Sequence, residues 1–225
     1  MNPWEHLMEK PWMVSTNADT MTLPSANVTA TNAARTALGF LLAVISVVFF
    51  LLILTLLSRS QFPDFEALAG APWQPLTDAR ALWINTFFLA AASITLQYSS
   101  WQSRSQVRIK TKLSLFLAAI FTCAFIFGQF WLWQRLVDLG YFVASNPANS
   151  YFFLLTGAHA AHLVGGLIAL FYVALPRQLG SETANVSIRL CTRYWHFLFG
   201  LWLLLFWLLT ASADTYKTIA QLCGL

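Results

Sequence analysis

Two histidines inside an apolar segment are the residues of this sequence best suited to chemistry. His159 and His162 lie three residues apart in YFFLLTGAHAAHLVGGLIAL, residues 151–170, a segment without Asp, Glu, Lys or Arg. Imidazole nitrogens bind haem iron, copper and zinc, and they exchange protons near neutral pH. The first question is whether these two side chains hold a metal, and the second is which elements position them.

The spacing of the histidines argues against a metal or haem site. Counted from the outer end of its segment, His162 lies about 17 Å deep, near the bilayer middle. His196 follows Tyr194 closely, near the inner end of another segment, so its depth differs from that of His162. A haem held between two helices needs histidines at similar depth on both. Two histidines without a nearby carboxylate or thiolate make a poor metal site. We therefore predict no catalytic, cofactor-binding or metal-binding residue in this chain.

Two other interpretations of the histidines follow from their place in an apolar segment. They can be neutral side chains that form hydrogen bonds with neighbouring helices, which is the interpretation we favour. They can also form a polar strip that contributes to a proton path or to a subunit contact.

The composition indicates an integral membrane protein. Of 225 residues, 58% are hydrophobic and only 10% are charged, whereas soluble domains carry about 25% charged residues. The net charge is +4, and the charges cluster in short connections rather than on one basic face. Nucleic acid is therefore not an expected partner.

Five apolar segments are long enough to cross a bilayer, which takes roughly 20 residues of helix. The sequence predicts an all-α bundle of five transmembrane helices between residues 36 and 213. The predicted spans are about 36–57, 81–99, 113–133, 151–175 and 194–213. They follow a polar N-terminal arm, residues 1–35, and precede a short tail, residues 214–225.

Charge in the connections predicts the orientation. Arg104, Arg108, Lys110 and Lys112 lie between the second and third spans, without an acidic residue. The connection between the fourth and fifth spans holds three arginines, Arg177, Arg189 and Arg193, against one acid, Glu182. Because short positive loops stay in the cytoplasm, the N-terminus is predicted to be cytoplasmic and the C-terminus periplasmic.

Small and charged residues predict two packing features. Gly157, Ala161 and Gly165 recur every four residues, a pattern that lets helices approach closely. This stripe lies about 130° from the histidine face, so the fourth span is expected to pack between neighbours. At the end of the third span, Arg135 and Asp138 are three residues apart and are predicted to form an interfacial ion pair.

Three stretches together resemble a known family. They are TGAHAAHLVGG, RYWHFLFGLWLLLF and LWINTFFLAAASITLQ. In order and spacing they resemble subunit III of the haem-copper terminal oxidases, in its five-helix bacterial type. The matching residues are Thr156, Gly157, His159, His162 and Gly166, then Tyr194, Trp195, His196 and Phe197, and Ile84, Asn85, Thr86 and Leu89.

The resemblance implies an accessory subunit without a redox centre, in the bacterial inner membrane. It implies direct docking on the catalytic subunit I, which it stabilises, with subunit II, a small subunit IV and a respiratory supercomplex as further candidate partners. Haem and copper are expected in the partner subunits and bound phospholipid on this chain. The complex would reduce oxygen to water and translocate protons, with cytochrome c or quinol as electron donor.

The sequence departs from the family pattern at two acidic positions. Family members usually carry a glutamate in the first of these five helices, where this chain has LLAVISVVFFLL, and the acid near Gln129 is displaced to Asp138. A role in proton uptake therefore does not follow from the resemblance. A free-standing transporter or channel and a b-type cytochrome anchor are the alternative functions.

Overall fold

A computed structural model describes residues 26–65, 68, 76, 79–103, 108–175, 182–222 and 224. The described residues form helices and turns without a strand. The helices are α1 (Ala26–Arg59), α2 (Arg80–Gln102), α3 (Arg108–Asp138), α4 (Pro147–Ala174), α5 (Glu182–Leu209) and α6 (Ala213–Leu222). In this part of the chain, α1 to α5 are long and apolar enough to span a membrane, which confirms the predicted five-helix bundle. The orientation of the termini stays a prediction.

Two helices begin earlier than the apolar segments indicate. α1 begins at Ala26, so residues 26–35 of the predicted arm are helical, whereas residues 1–25 lie outside the described residues. α5 begins at Glu182 rather than near residue 194, and Arg189 and Arg193 therefore lie in a helix rather than in a connection. The predicted tail contains α6, which packs on α1.

α5 packs against three of the other long helices, α1, α2 and α4. α2 packs against α3 and α5, α4 packs against the same two helices, and α1 rests on α5 and α4. Leu89, Ala92 and Leu96 of α2 are fully buried. Of the 18 residues that form the apolar stretch of α1, only 22% are buried inside the chain, against 39% in the corresponding stretch of α2. α1 is therefore the peripheral helix.

A tight turn aligns α3 with α4. Gly140 follows α3 with φ +89°, a left-handed conformation that glycine adopts without strain. The side chain of Asn146 then accepts a hydrogen bond from the backbone N–H of Ala148 at 2.8 Å and caps α4, with Pro147 in its first turn. This connection makes the two helices antiparallel neighbours and brings the α3 aromatic rings level with the α4 histidines.

Candidate functional site

His159 lies in an aromatic enclosure at the centre of the bundle. Its side chain is 0% exposed. The imidazole lies between Phe125 of α3 and Trp202 of α5, with ring centroids 5.9 and 5.4 Å away. Neither ring nitrogen has a hydrogen-bond partner among the described residues. The predicted interhelical hydrogen bond is therefore wrong for His159, whose neighbours are rings rather than polar groups.

His162 is bonded to its own helix. Its Nδ1 lies 2.7 Å from the backbone oxygen of Ala158, one turn earlier in α4. Its ring packs against Phe49 of α1 at a centroid distance of 5.7 Å. The link to a neighbouring helix is made by its backbone, because the hydroxyl of Tyr194 donates a hydrogen bond to the His162 carbonyl oxygen at 3.0 Å. The predicted side-chain bond between helices is wrong here too.

The close contact of α4 falls one residue beyond the predicted stripe. A Cβ placed on Gly165 would meet nothing within 4 Å, and Ala161 is exposed. A Cβ on Gly166 would instead lie 2.9 Å from ring atoms of both Tyr194 and Trp195. Within this chain α5 therefore approaches α4 at Gly166 rather than at Gly165, and a tight interface along Gly157, Ala161 and Gly165 stays a prediction for contacts with other subunits.

Three tryptophan–threonine pairs connect the central helices. The indole N–H groups of Trp133, Trp195 and Trp202 donate hydrogen bonds of 3.1, 3.1 and 2.9 Å. The acceptors are the hydroxyl oxygens of Thr156, Thr122 and Thr86, in the same order. These pairs join α3 to α4, α5 to α3 and α5 to α2. Indole is an apolar body with a single N–H donor, so a buried hydroxyl on a facing helix fixes both its position and its rotation.

Each of these threonine hydroxyls also donates a hydrogen bond to its own helix. Thr86 donates to the carbonyl oxygen of Leu82 at 2.8 Å, and Thr122 donates to that of Ala118 at 2.8 Å. Thr156 donates to the carbonyl oxygen of Phe152 at 2.6 Å. The hydroxyl therefore uses its proton locally and its lone pair across the interface. Thr86, Thr156 and Trp195 are among the predicted family-motif residues, whereas their partners are not. Threonine and tryptophan on different apolar spans were the available signal for these pairs.

His196 forms a polar cluster with two residues of α2. Its Nδ1 lies 2.5 Å from the hydroxyl oxygen of Ser93, and its Nε2 lies 2.9 Å from Oε1 of Gln97. Because an amide oxygen only accepts, Nε2 donates to Gln97, and in the neutral ring Nδ1 then accepts from the Ser93 hydroxyl. Both nitrogens are thereby used inside the chain, although the ring itself is exposed on the bundle surface.

A second polar contact joins α2 and α3. The side-chain nitrogen of Asn85 lies 3.5 Å from Oε1 of Gln129, and both side chains are buried. A Cβ on Gly128 would overlap the side-chain oxygen of Asn85. The Nε2 of Gln129 has no partner in the described ranges. The family-motif residue Asn85 thus reaches α3 beside Gly128, where any larger residue would force the Asn85 side chain to move.

The predicted ion pair at the end of α3 does not form. The guanidinium of Arg135 lies over the ring of Trp131, 5.6 Å from its centroid. The ion pair found in the described part of the chain joins Arg59 to Asp64, just after α1. The Trp131 ring thus supports the Arg135 guanidinium by a cation–π contact while the arginine side chain extends towards water.

The geometry leaves no two span histidines facing one ligand position. His159 is enclosed by rings, His162 turns back to its own helix, and His196 is bonded to α2. Within the described ranges, no group of three or more His, Cys, Asp or Glu side chains could hold a metal ion. The polar side chains described above instead join helices to one another.

Comparison with known proteins identifies the family. The family model described as cytochrome c oxidase subunit III matches residues 11–211, which include all five long apolar helices. The chain belongs to the cytochrome c oxidase subunit III family. It is thus a multi-pass membrane subunit of an oxidoreductase complex, and the family inferred from the three sequence stretches is confirmed.

Subunit III relatives from several bacteria resemble the chain over most of its length. A probable cytochrome c oxidase subunit 3 of Mycobacterium leprae is 28% identical over 63% of this chain and 72% of the relative. Cytochrome c oxidase subunit 3 of Corynebacterium diphtheriae is 32% identical over 55% of this chain and 61% of the relative. The Bacillus subtilis protein of that name is 25% identical over 68% of this chain and 77% of the relative.

Proposed function

We propose that this subunit III is an accessory, non-redox subunit that docks on the catalytic subunit I and stabilises it. The observation that carries the proposal is the separation of the three span histidines into three unrelated environments. A bis-histidine haem, as a b-type cytochrome anchor would hold, needs two imidazoles aimed at one iron from facing helices, and these imidazoles do not share a space.

A stabilising role agrees with where the polar groups lie. The tryptophan–threonine pairs and the Asn85–Gln129 contact lie inside the chain, between its own helices. The outer surface keeps large exposed apolar side chains along every long helix. Such a surface suits lipid and the apolar flank of a larger membrane subunit, since both bury it without unpaired polar groups.

The expected partners are subunit I by direct contact, subunit II, a small subunit IV and a respiratory supercomplex. Haem and copper belong to the partners in this proposal, and the complex lies in the bacterial inner membrane with the N-terminus of this chain in the cytoplasm.

Phospholipid is expected in two apolar grooves beside α1. One groove, of about 610 Å³, is lined by Ala161, Gly165 and other residues of α1, α4 and α5. The other, of about 650 Å³, lies between α1 and α5.

The test is purification of the chain through a C-terminal tag in mild detergent. A reduced-minus-oxidised spectrum and mass spectrometry of co-eluting chains are recorded together. Haem that travels with a large polytopic partner, and is lost when this chain is isolated from it, supports the accessory role. Haem that stays on the isolated chain contradicts the proposal, and so does a chain that elutes without any oxidase subunit.

A further inference from the structure

The outward side of α5 carries residues at heptad-type spacing. They recur at alternating intervals of four and three, which places them along one side of a helix. All are exposed or half-buried in this chain, with Leu203 at 42% and Trp207 at 52%. We call them the α5 seam: Arg189, Arg193, His196, Gly200, Leu203 and Trp207. At 1.5 Å per residue the α5 seam measures about 27 Å, close to the roughly 30 Å thickness of the hydrocarbon core.

The opposite side of α5 already has its partners within this chain. Trp195, Leu198, Trp202 and Leu205 repeat the alternating spacing and are 0% exposed. At about 100° per residue, the α5 seam lies about 160° away from them around the helix, so it points out of the core. A Cβ on Gly200, in the middle of the α5 seam, would meet nothing within 4 Å. A glycine there lets a second helix approach closely, and no described helix of this chain does so.

His196 brings polar atoms to the bundle surface at hydrocarbon depth. Its imidazole is exposed, and it is bonded to Ser93 at 2.5 Å and to Gln97 at 2.9 Å. Ser93 lies about 9 Å along α2 from residue 99, where the predicted span ends. Ionisable side chains in transmembrane helices almost always face protein or a water-filled cavity rather than acyl chains. A protein neighbour therefore suits the α5 seam at this depth better than lipid does.

Two arginines define the chemistry of that neighbour. Arg189 and Arg193 lie one turn apart at the end of the α5 seam nearest the start of the helix, and neither forms an ion pair with a described residue. A carboxylate accepts paired hydrogen bonds from guanidinium groups. A second copy of this chain would instead lie parallel in the membrane and would place each arginine opposite its own counterpart. Like charges opposite one another disfavour that pairing.

We propose that the α5 seam packs against one transmembrane helix of another oxidase subunit, and that this helix carries a carboxylate opposite Arg189 and Arg193. Alternation of four and three suits two helices that cross at about 20°, and Gly200 leaves room for a large apolar side chain of the partner. His196 and Gly200 also line the groove between α1 and α5, so the partner helix would close that groove against the surrounding lipid. The inference rests on the proposed accessory role and goes beyond it, because it names the face that docks and the chemistry of the partner.

The first experiment identifies the occupant of the α5 seam. The photoreactive residue p-benzoylphenylalanine replaces Leu203, the complex is irradiated in native membranes, and adducts are mapped by mass spectrometry. The expected adduct is a transmembrane peptide of another oxidase subunit that carries Asp or Glu at the membrane surface on the arginine side. The same probe at Phe116, which is 64% exposed on α3, should not label that peptide. Labelling of the same peptide from Phe116 overturns the proposal, and so do adducts with a second copy of the chain or with lipid alone.

The second experiment removes the charge from the α5 seam. Arg189→Gln/Arg193→Gln should weaken retention of this chain in the detergent-solubilised complex about 30-fold, equivalent to about 2 kcal/mol at about 1.4 kcal/mol per factor of ten. The control Lys110→Gln/Lys112→Gln removes the same charge from exposed side chains at the start of α3 and should leave retention unchanged. Full retention of the arginine variant, or equal loss in the lysine control, overturns the proposal.

A third variant tests the α5 seam with both arginines in place. Gly200→Leu fills the space for the partner's side chain, whereas Gly39→Leu adds the same side chain to α1 at another glycine with nothing within 4 Å. Gly200→Leu should weaken retention by about 5- to 150-fold relative to Gly39→Leu, the range for overpacking, while thermal unfolding of the full chain is the same in both. If both variants are retained equally in an intact complex, only this inference fails. A wild-type chain that elutes without any oxidase subunit contradicts the accessory role as well.

Discussion

Gly165 and Gly166 offer a test of the helix contact between α4 and α5, because they are adjacent and differ in what surrounds them. Gly166→Ala places a methyl group 2.9 Å from ring atoms of Tyr194 and Trp195, whereas Gly165→Ala meets nothing within 4 Å. Trp195 cannot move away without cost, since it is fully buried and its N–H is bonded to Thr122. Overpacking of this kind destabilises proteins by about 1–3 kcal/mol.

The pair of variants isolates the steric effect. Both substitutions replace glycine by alanine within one turn of the same helix, so the gain in helix propensity is shared. The retention of this chain in the complex is measured against temperature in detergent, and the unfolding equilibrium of Gly166→Ala should shift by about 5- to 150-fold relative to Gly165→Ala. Equal stability of the two variants would refute the argument, as would greater damage at Gly165.

Three further predictions follow from single contacts. Thr86→Val keeps the side-chain shape but leaves the Trp202 N–H without its acceptor, so a loss of about 0.6–1.7 kcal/mol is expected in thermal unfolding; an unchanged melting temperature would contradict it. His159→Phe should change stability by less than about 1.5 kcal/mol, because the ring has aromatic neighbours and unpartnered nitrogens; a larger loss would contradict it. Hydrogen bonds from Arg59 hold the pKa of Asp64 below its ordinary value. The stability that Asp64 adds relative to Asp64→Asn should therefore be present at neutral pH and be lost as pH falls below about 4; a difference that grows in acid would contradict the pairing.

Hydrophobic length predicted the five spans well but not the starts of two helices. The crossing of the hydrocarbon core requires apolar side chains, and those segments are visible in the sequence. A helix can continue beyond the core wherever its backbone bonds remain favourable, as α1 does through residues 26–35 and α5 through Arg189 and Arg193. Hydropathy indicates which residues lie in the hydrocarbon core of the membrane. It therefore cannot locate helical residues that extend beyond that core.

The sequence identified the right residues of α4 but not their contacts. Small residues at spacing of four are compatible with a tight interface, but the rotation of α4 about its axis decides which glycine meets a neighbour. That rotation is set by bulky partners, here Tyr194 and Trp195, whose position depends on the packing of α5. For the same reason, the partners of His159 and His162 could not be read from their spacing, since aromatic rings from α1, α3 and α5 occupy the space around them.

The three tryptophan–threonine pairs divide the bundle into parts with different mechanical properties. They tie α2, α3, α4 and α5 together through directional bonds. α1 takes no part in them, and its hydroxyl groups at Ser46 and Thr55 bond to its own backbone. Dispersion contacts change gradually when a helix slides or turns, whereas a hydrogen bond is lost within a fraction of an ångström. A shift between two helices that one of these pairs joins would therefore break a directional bond, whereas a rotation of α1 about its axis would leave all three bonds intact.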